Sequence, residues 1–66
     1  MNRLKISLKA TRANAGLSQA DVAKALHKSK TTITNWENGK TETDLGNLQA
    51  ICNLYKVTVD DILLPF

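Results

Sequence analysis

Aromatic side chains are scarce: the 66 residues hold one Trp, one Tyr and one Phe. A platform that stacks single-stranded bases needs several exposed aromatics, so this mode of nucleic-acid binding is excluded. Cys52 is the only cysteine and His27 the only histidine. They supply no disulfide framework, no zinc cluster and no paired ligand spacing. No metal or cofactor is expected. No apolar run approaches the roughly 18 residues of a membrane span, and the first residues lack the apolar stretch and cleavage site of a signal peptide. The expectation is a cytoplasmic protein without membrane contact. Clustered acid–base or nucleophilic groups are missing as well, which argues against an enzyme. A chain this short also buries only about 60% of its unfolded surface, too little core for a deep pocket.

The hydrophobic fraction of 42% and charged fraction of 23% are those of a globular chain. Residues 1–66 are therefore read as a single domain. The net charge of +3 is unevenly spread. Residues 1–41 carry eight basic side chains against Asp21 and Glu37, whereas residues 42–66 set Lys56 against Glu42, Asp44, Asp60 and Asp61. A basic first part and an acidic remainder suggest one side that faces a polyanion and another that faces elsewhere.

The single proline, Pro65, leaves the interior free of helix breakers. Leu17-Ser18-Gln19-Ala20-Asp21-Val22 and Val57-Thr58-Val59-Asp60-Asp61-Ile62 share one start signal. Each has a hydroxyl cap, Asp at the third helical position and apolar residues placed as a staple. Ser29 and Ser7 are further caps. Gly16 and Gly39 supply stops. Leu45, Leu48, Ile51, Cys52 and Tyr55 recur at helical spacing. These signals predict an all-α, compact five-helix domain, with helices near 8–15, 19–26, 30–38, 45–55 and 59–64. Strand alternation is confined to Leu4 and Ile6. Cys52 reads as a small core residue on an apolar face.

The second and third helices are separated only by His27, Lys28 and Ser29, which forces a steep crossing: a helix-turn-helix over about 18–38. Ala23 is small enough for a close approach. Val22, Leu26, Ile33 and Trp36 can share the core. Burying Ile33, Trp36 and Glu37 leaves Lys30, Thr31, Thr34 and Asn35 on the outward face. That face carries donors and acceptors suited to base edges in a major groove.

The run Gly16-Leu17-Ser18-Gln19-Ala20-Asp21-Val22-Ala23-Lys24-Ala25-Leu26, followed by Ile33-Thr34-Asn35-Trp36-Glu37-Asn38-Gly39-Lys40, resembles the lambda-repressor-like helix-turn-helix family, the Cro and phage-repressor (XRE-type) regulators. The resemblance extends over about residues 7–64. It implies that Ser29, Lys30, Thr31, Thr34 and Asn35 face the major groove. It further implies that Gln19, Asn38 and Lys40 hold the phosphate backbone, and that Arg12 pairs with Glu37. Three departures stand out. His27 occupies the turn position where the family usually has Gly, Lys28 replaces an apolar residue, and Glu42 and Asp44 lie in a loop that often contacts backbone.

The leading expectation is a sequence-specific regulator of transcription that binds double-stranded DNA, a phage- or prophage-type repressor on a two-fold operator. The alternative is an antitoxin-type interaction module with secondary DNA binding. Ile62, Leu63 and Leu64 fall within one helical turn, so at least one of them, with Phe66, is expected at the surface. These four residues are the expected homodimer contact.

Overall fold

Hydroxyls begin three of the four helices. In the computed structural model, which describes residues 6–64, Ser7 Oγ accepts from the Ala10 N–H at 3.1 Å, Ser18 Oγ from Asp21 at 3.0 Å and Ser29 Oγ from Thr32 at 3.1 Å. These caps open α1 (Leu8–Asn14), α2 (Gln19–Leu26) and α3 (Lys30–Asn38). Asp21 returns a bond from the Ser18 N–H at 2.9 Å, which completes a capping box. The fourth helix, α4 (Leu45–Tyr55), is capped by Asp44, whose Oδ1 accepts from Asn47 N–H at 2.7 Å.

All four helices stop in the same way. The residue after the last turn enters the left-handed region, and the next N–H reaches back to a carbonyl five residues earlier. The turning residues are Gly16 (φ 76°), His27 (56°), Gly39 (74°) and Lys56 (59°). The closing bonds are Leu17 to Arg12 (3.2 Å), Lys28 to Ala23 (2.8 Å), Lys40 to Asn35 (2.9 Å) and Val57 to Cys52 (3.0 Å). His27 thus takes the conformation that a glycine would take with less strain, and only three residues separate α2 from α3.

The expected fifth helix is not formed. The Asp61 carboxylate does accept from Thr58, from its N–H at 2.9 Å and its hydroxyl at 3.0 Å. Only a single 3-10 turn, Val59–Asp61, follows. Ile62–Leu63 is extended instead (β2) and pairs in parallel with Ile6–Ser7 (β1), Ile6 opposite Ile62 and Ser7 opposite Leu63. Pairing seats Ile62 in the core at 2% exposure, and the alternation of the extended chain turns Leu63 outward at 58%. The all-α, five-helix expectation is corrected to four helices, one 3-10 turn and a two-stranded sheet among the described residues.

The core is one cluster. Leu8, Val22, Ala23, Ile33, Trp36, Leu48, Ile51, Cys52, Tyr55 and Ile62 are buried together, with Leu17, Leu26, Leu54, Val57 and Leu64 against them. Helix α2 packs on α3 and α4, while α1 lies against the sheet. Ile62 therefore cannot form a dimer contact. Leu63 is 58% exposed and Leu64 half-buried, whereas Phe66, Pro65 and Leu4 lie outside the described residues. No described helix is long and apolar enough to cross a membrane.

Candidate nucleic-acid interface

Helix α3 is clamped to its neighbours through Glu37. Arg12 Nε donates to Glu37 Oε2 at 2.6 Å, and Nη2 lies 3.4 Å from Oε1. Nη1 of the same guanidinium donates to the Leu17 carbonyl at 2.9 Å. Both partners are largely removed from water, with side chains 13% and 4% exposed. The hydrogen bond to Glu37 raises the Arg12 pKa above its ordinary value, against the opposing effect of burial. The fixed cation cancels the one negative charge on α3, so the helix presents no net acidity.

Gln19, the first residue of α2, joins the same network. Its Nε2 donates to Glu37 Oε1 at 2.9 Å, and its Oε1 accepts from Thr34 Oγ1 at 3.0 Å. The Thr34 hydroxyl also lies 3.1 Å from the Lys30 carbonyl. Arg12 on α1 and Gln19 on α2 thus converge on one buried carboxylate, and Thr34 on α3 is tied to it only through Gln19. Tyr55 of α4 sits near this charge. Burial, with Glu37 as the second cause, pushes its phenol up to about 12.

Outside this clamp, Lys30 and Thr31 are exposed and Asn35 half-buried on α3, and none of the three forms a side-chain hydrogen bond among the described residues. Thr34 is half-buried and engaged. Ser29 Oγ is occupied as the α3 cap and shares a 2.9 Å hydrogen bond with Thr32 Oγ1. Asn38 and Lys40 are exposed around the Gly39 turn. Lys24 and Lys28 are exposed on α2 and in the connection. A row of donors with basic flanks can meet acceptors on base edges and phosphates.

Two roles were not read from the sequence. Thr32 supports the Ser29 cap, and nothing in its spacing distinguishes it from Thr31. Asp44 opens α4. An acid just before a periodic apolar run is a cap signal, so this role was open to sequence reading. Among the described residues, no cluster of His, Cys, Asp or Glu could hold a metal ion.

Two helices joined across residues 27–29, the second braced through Glu37 and carrying an outward polar face, define a helix-turn-helix protein. The family described as Helix-turn-helix matches residues 8–62, and the chain belongs to it, on its XRE-type, lambda-repressor-like branch. It is a family of DNA-binding regulators and not of enzymes. Among curated proteins, the chain is similar to the HTH-type transcriptional activator BcrR of Enterococcus faecalis, 34% identical over 56 residues. The match covers 85% of this chain but spans only 28% of that relative. No solved structure matches.

Proposed function

We propose that the chain is a sequence-specific, double-stranded-DNA-binding regulator of transcription that reads a major groove with α3. The observation that carries this reading is the α3 surface. Lys30, Thr31 and Asn35 have no side-chain hydrogen bond among the described residues, on a helix otherwise fixed through Glu37. Lys30 and Asn35 are suited to guanine and adenine edges. Ser29 and Thr34 complete the proposed groove-facing set, and Gln19, Asn38 and Lys40 serve as backbone anchors. Residues 1–66 act as one reading unit in the cytoplasm, with the helix-turn-helix at about 18–38.

One such unit spans few base pairs, so a homodimer on a two-fold operator supplies the remaining contacts. Leu63 and Leu64 are the proposed contact, Ile6 lies exposed on the neighbouring strand opposite Ile62, and Phe66 belongs to the same end of the sequence. An operator that overlaps a promoter makes such a protein a repressor of the Cro type. One placed beside the promoter makes it an activator, as the relative is named.

In vitro selection from random duplexes tests the reading and should return a two-fold site. Binding to that site should weaken with salt, with a slope near −3.6 in log K against log salt if about four phosphates are neutralised. Asn35→Ala should cost about 1–3 kcal/mol on the selected site alone, and Lys40→Ala should weaken all sequences about equally. A slope near zero would remove DNA from the primary role and favour the antitoxin-type protein partner.

A further inference from the structure

We propose that Thr34 selects an A·T base pair by contact of its methyl group with the thymine C5-methyl, and does not act as a hydrogen-bond donor to the bases. This rests on the assignment of α3 as the reading helix. The inference follows from the direction of the hydrogen bonds behind that helix. A carboxylate accepts and cannot donate, so Glu37 Oε1 fixes which end of the Gln19 amide faces it. Gln19 Nε2 points to Glu37 at 2.9 Å, and Gln19 Oε1 is left facing Thr34 at 3.0 Å. That oxygen can only accept. The Thr34 hydroxyl therefore turns its single hydrogen toward Gln19 Oε1 and the Lys30 carbonyl at 3.1 Å, both within the protein.

What Thr34 retains for a base edge is its methyl group and lone pairs. In the major groove guanine presents only the acceptors N7 and O6 and so offers such a side chain no partner. An A·T pair presents the adenine amino group and the thymine methyl together, and both fit. Cytosine also offers an amino group, but it lacks the methyl. Lys30, Thr31 and Asn35 keep donors of their own, so recognition of acceptor-rich edges falls to them.

The test uses the selected operator with each thymine replaced in turn by deoxyuridine, which removes one methyl and leaves the pairing intact. For the unaltered protein, one position in the half-site should weaken by about fourfold, the worth of one buried methyl. Thr34→Ser keeps the hydroxyl and its bond to Gln19 but should lose this discrimination. Thr34→Val keeps a methyl and should retain it. Melting curves of both variants establish that they fold, and the serine variant decides the matter if the valine variant does not. If selection returns a preferred site but no thymine position discriminates, or Thr34→Ser still discriminates, the role of Thr34 is overturned and α3 remains the reading helix. If selection returns no preferred sequence, both fall.

Discussion

Glu37 holds a charge at 4% side-chain exposure because three donors from two other helices reach it. Removing it strands the Arg12 guanidinium and one end of the Gln19 amide. Glu37→Ala should cost about 3 kcal/mol, the lower end for a broken buried pair, because Arg12 keeps the Leu17 carbonyl. Urea denaturation measures this, and a change within error would contradict it. Tyr55 gives an independent readout, because the chain has a single tyrosine. Its phenol ionises near 10 when unfolded and near 12 when folded, so the folded state holds the proton longer. Stability from this group is complete below pH 10 and is lost as the pH rises toward 12. Ultraviolet titration should show the late ionisation, and Tyr55→Phe should remove the alkaline loss of melting temperature. Of the four residues expected on the outward face of α3, Lys30 and Thr31 are exposed as the 3.6-residue periodicity implies, whereas Asn35 and Thr34 are half-buried and Thr34 is bonded to Gln19. The orientation of the Gln19 amide was not legible in the sequence, because it depends on a carboxylate 18 residues away.

The helices themselves were readable where local chemistry decides. The bounds of α2, α3 and α4 coincide with the predicted 19–26, 30–38 and 45–55, because caps and left-handed stops act within a few residues. Helix α1 ends at Asn14, one residue short of expectation. The end of α4 illustrates the limit. Lys56 stands at φ 59°, a conformation its side chain does not advertise. A left-handed L-residue costs about 1–2 kcal/mol, and glycine returns up to about 1 of that through its freer unfolded state. Lys56→Gly should therefore raise stability by about 0.5–1 kcal/mol, with DNA affinity unchanged. Gly16→Ala is the converse. Its new methyl meets nothing within 4 Å, so the loss of melting temperature reports the strain at positive φ less the reduced freedom of the unfolded chain, with no clash added. The sequence after Val57 misled for a related reason. Its capping pattern is genuine, but a partner strand at the other end of the chain outweighs it, and local signals carry no record of that pairing.

At the scale of the whole molecule, the sheet assigns Ile62 and Leu63 opposite tasks. Ile62 is buried at 2%, so Ile62→Ala should cost about 2–5 kcal/mol in stability. Leu63, with Ile6 and Val59 also exposed, should instead affect assembly. In sedimentation with operator DNA, the unaltered protein should pair, and Leu63→Glu should remain folded but single. Unaltered protein that stays monomeric at high micromolar concentration on DNA would refute this contact. Asp60 and Asp61 precede β2 in the sequence, whereas Lys24, Lys28, Lys30 and Lys40 lie in or beside the helix-turn-helix, so the proposed pairing through Leu63 would leave those four lysines open to DNA.

The parallel clasp between Ile6–Ser7 and Ile62–Leu63 also sets how the molecule bears tension. A force that separates the chain's two ends pulls β1 backward along its own axis and β2 forward along the same line. The bonds between them are then loaded together in shear, not peeled one at a time as at the open end of a hairpin. The helix-turn-helix lies inside the stretch that this clasp closes, so the backbone of α2 and α3 is not drawn out from the ends until the clasp has slipped.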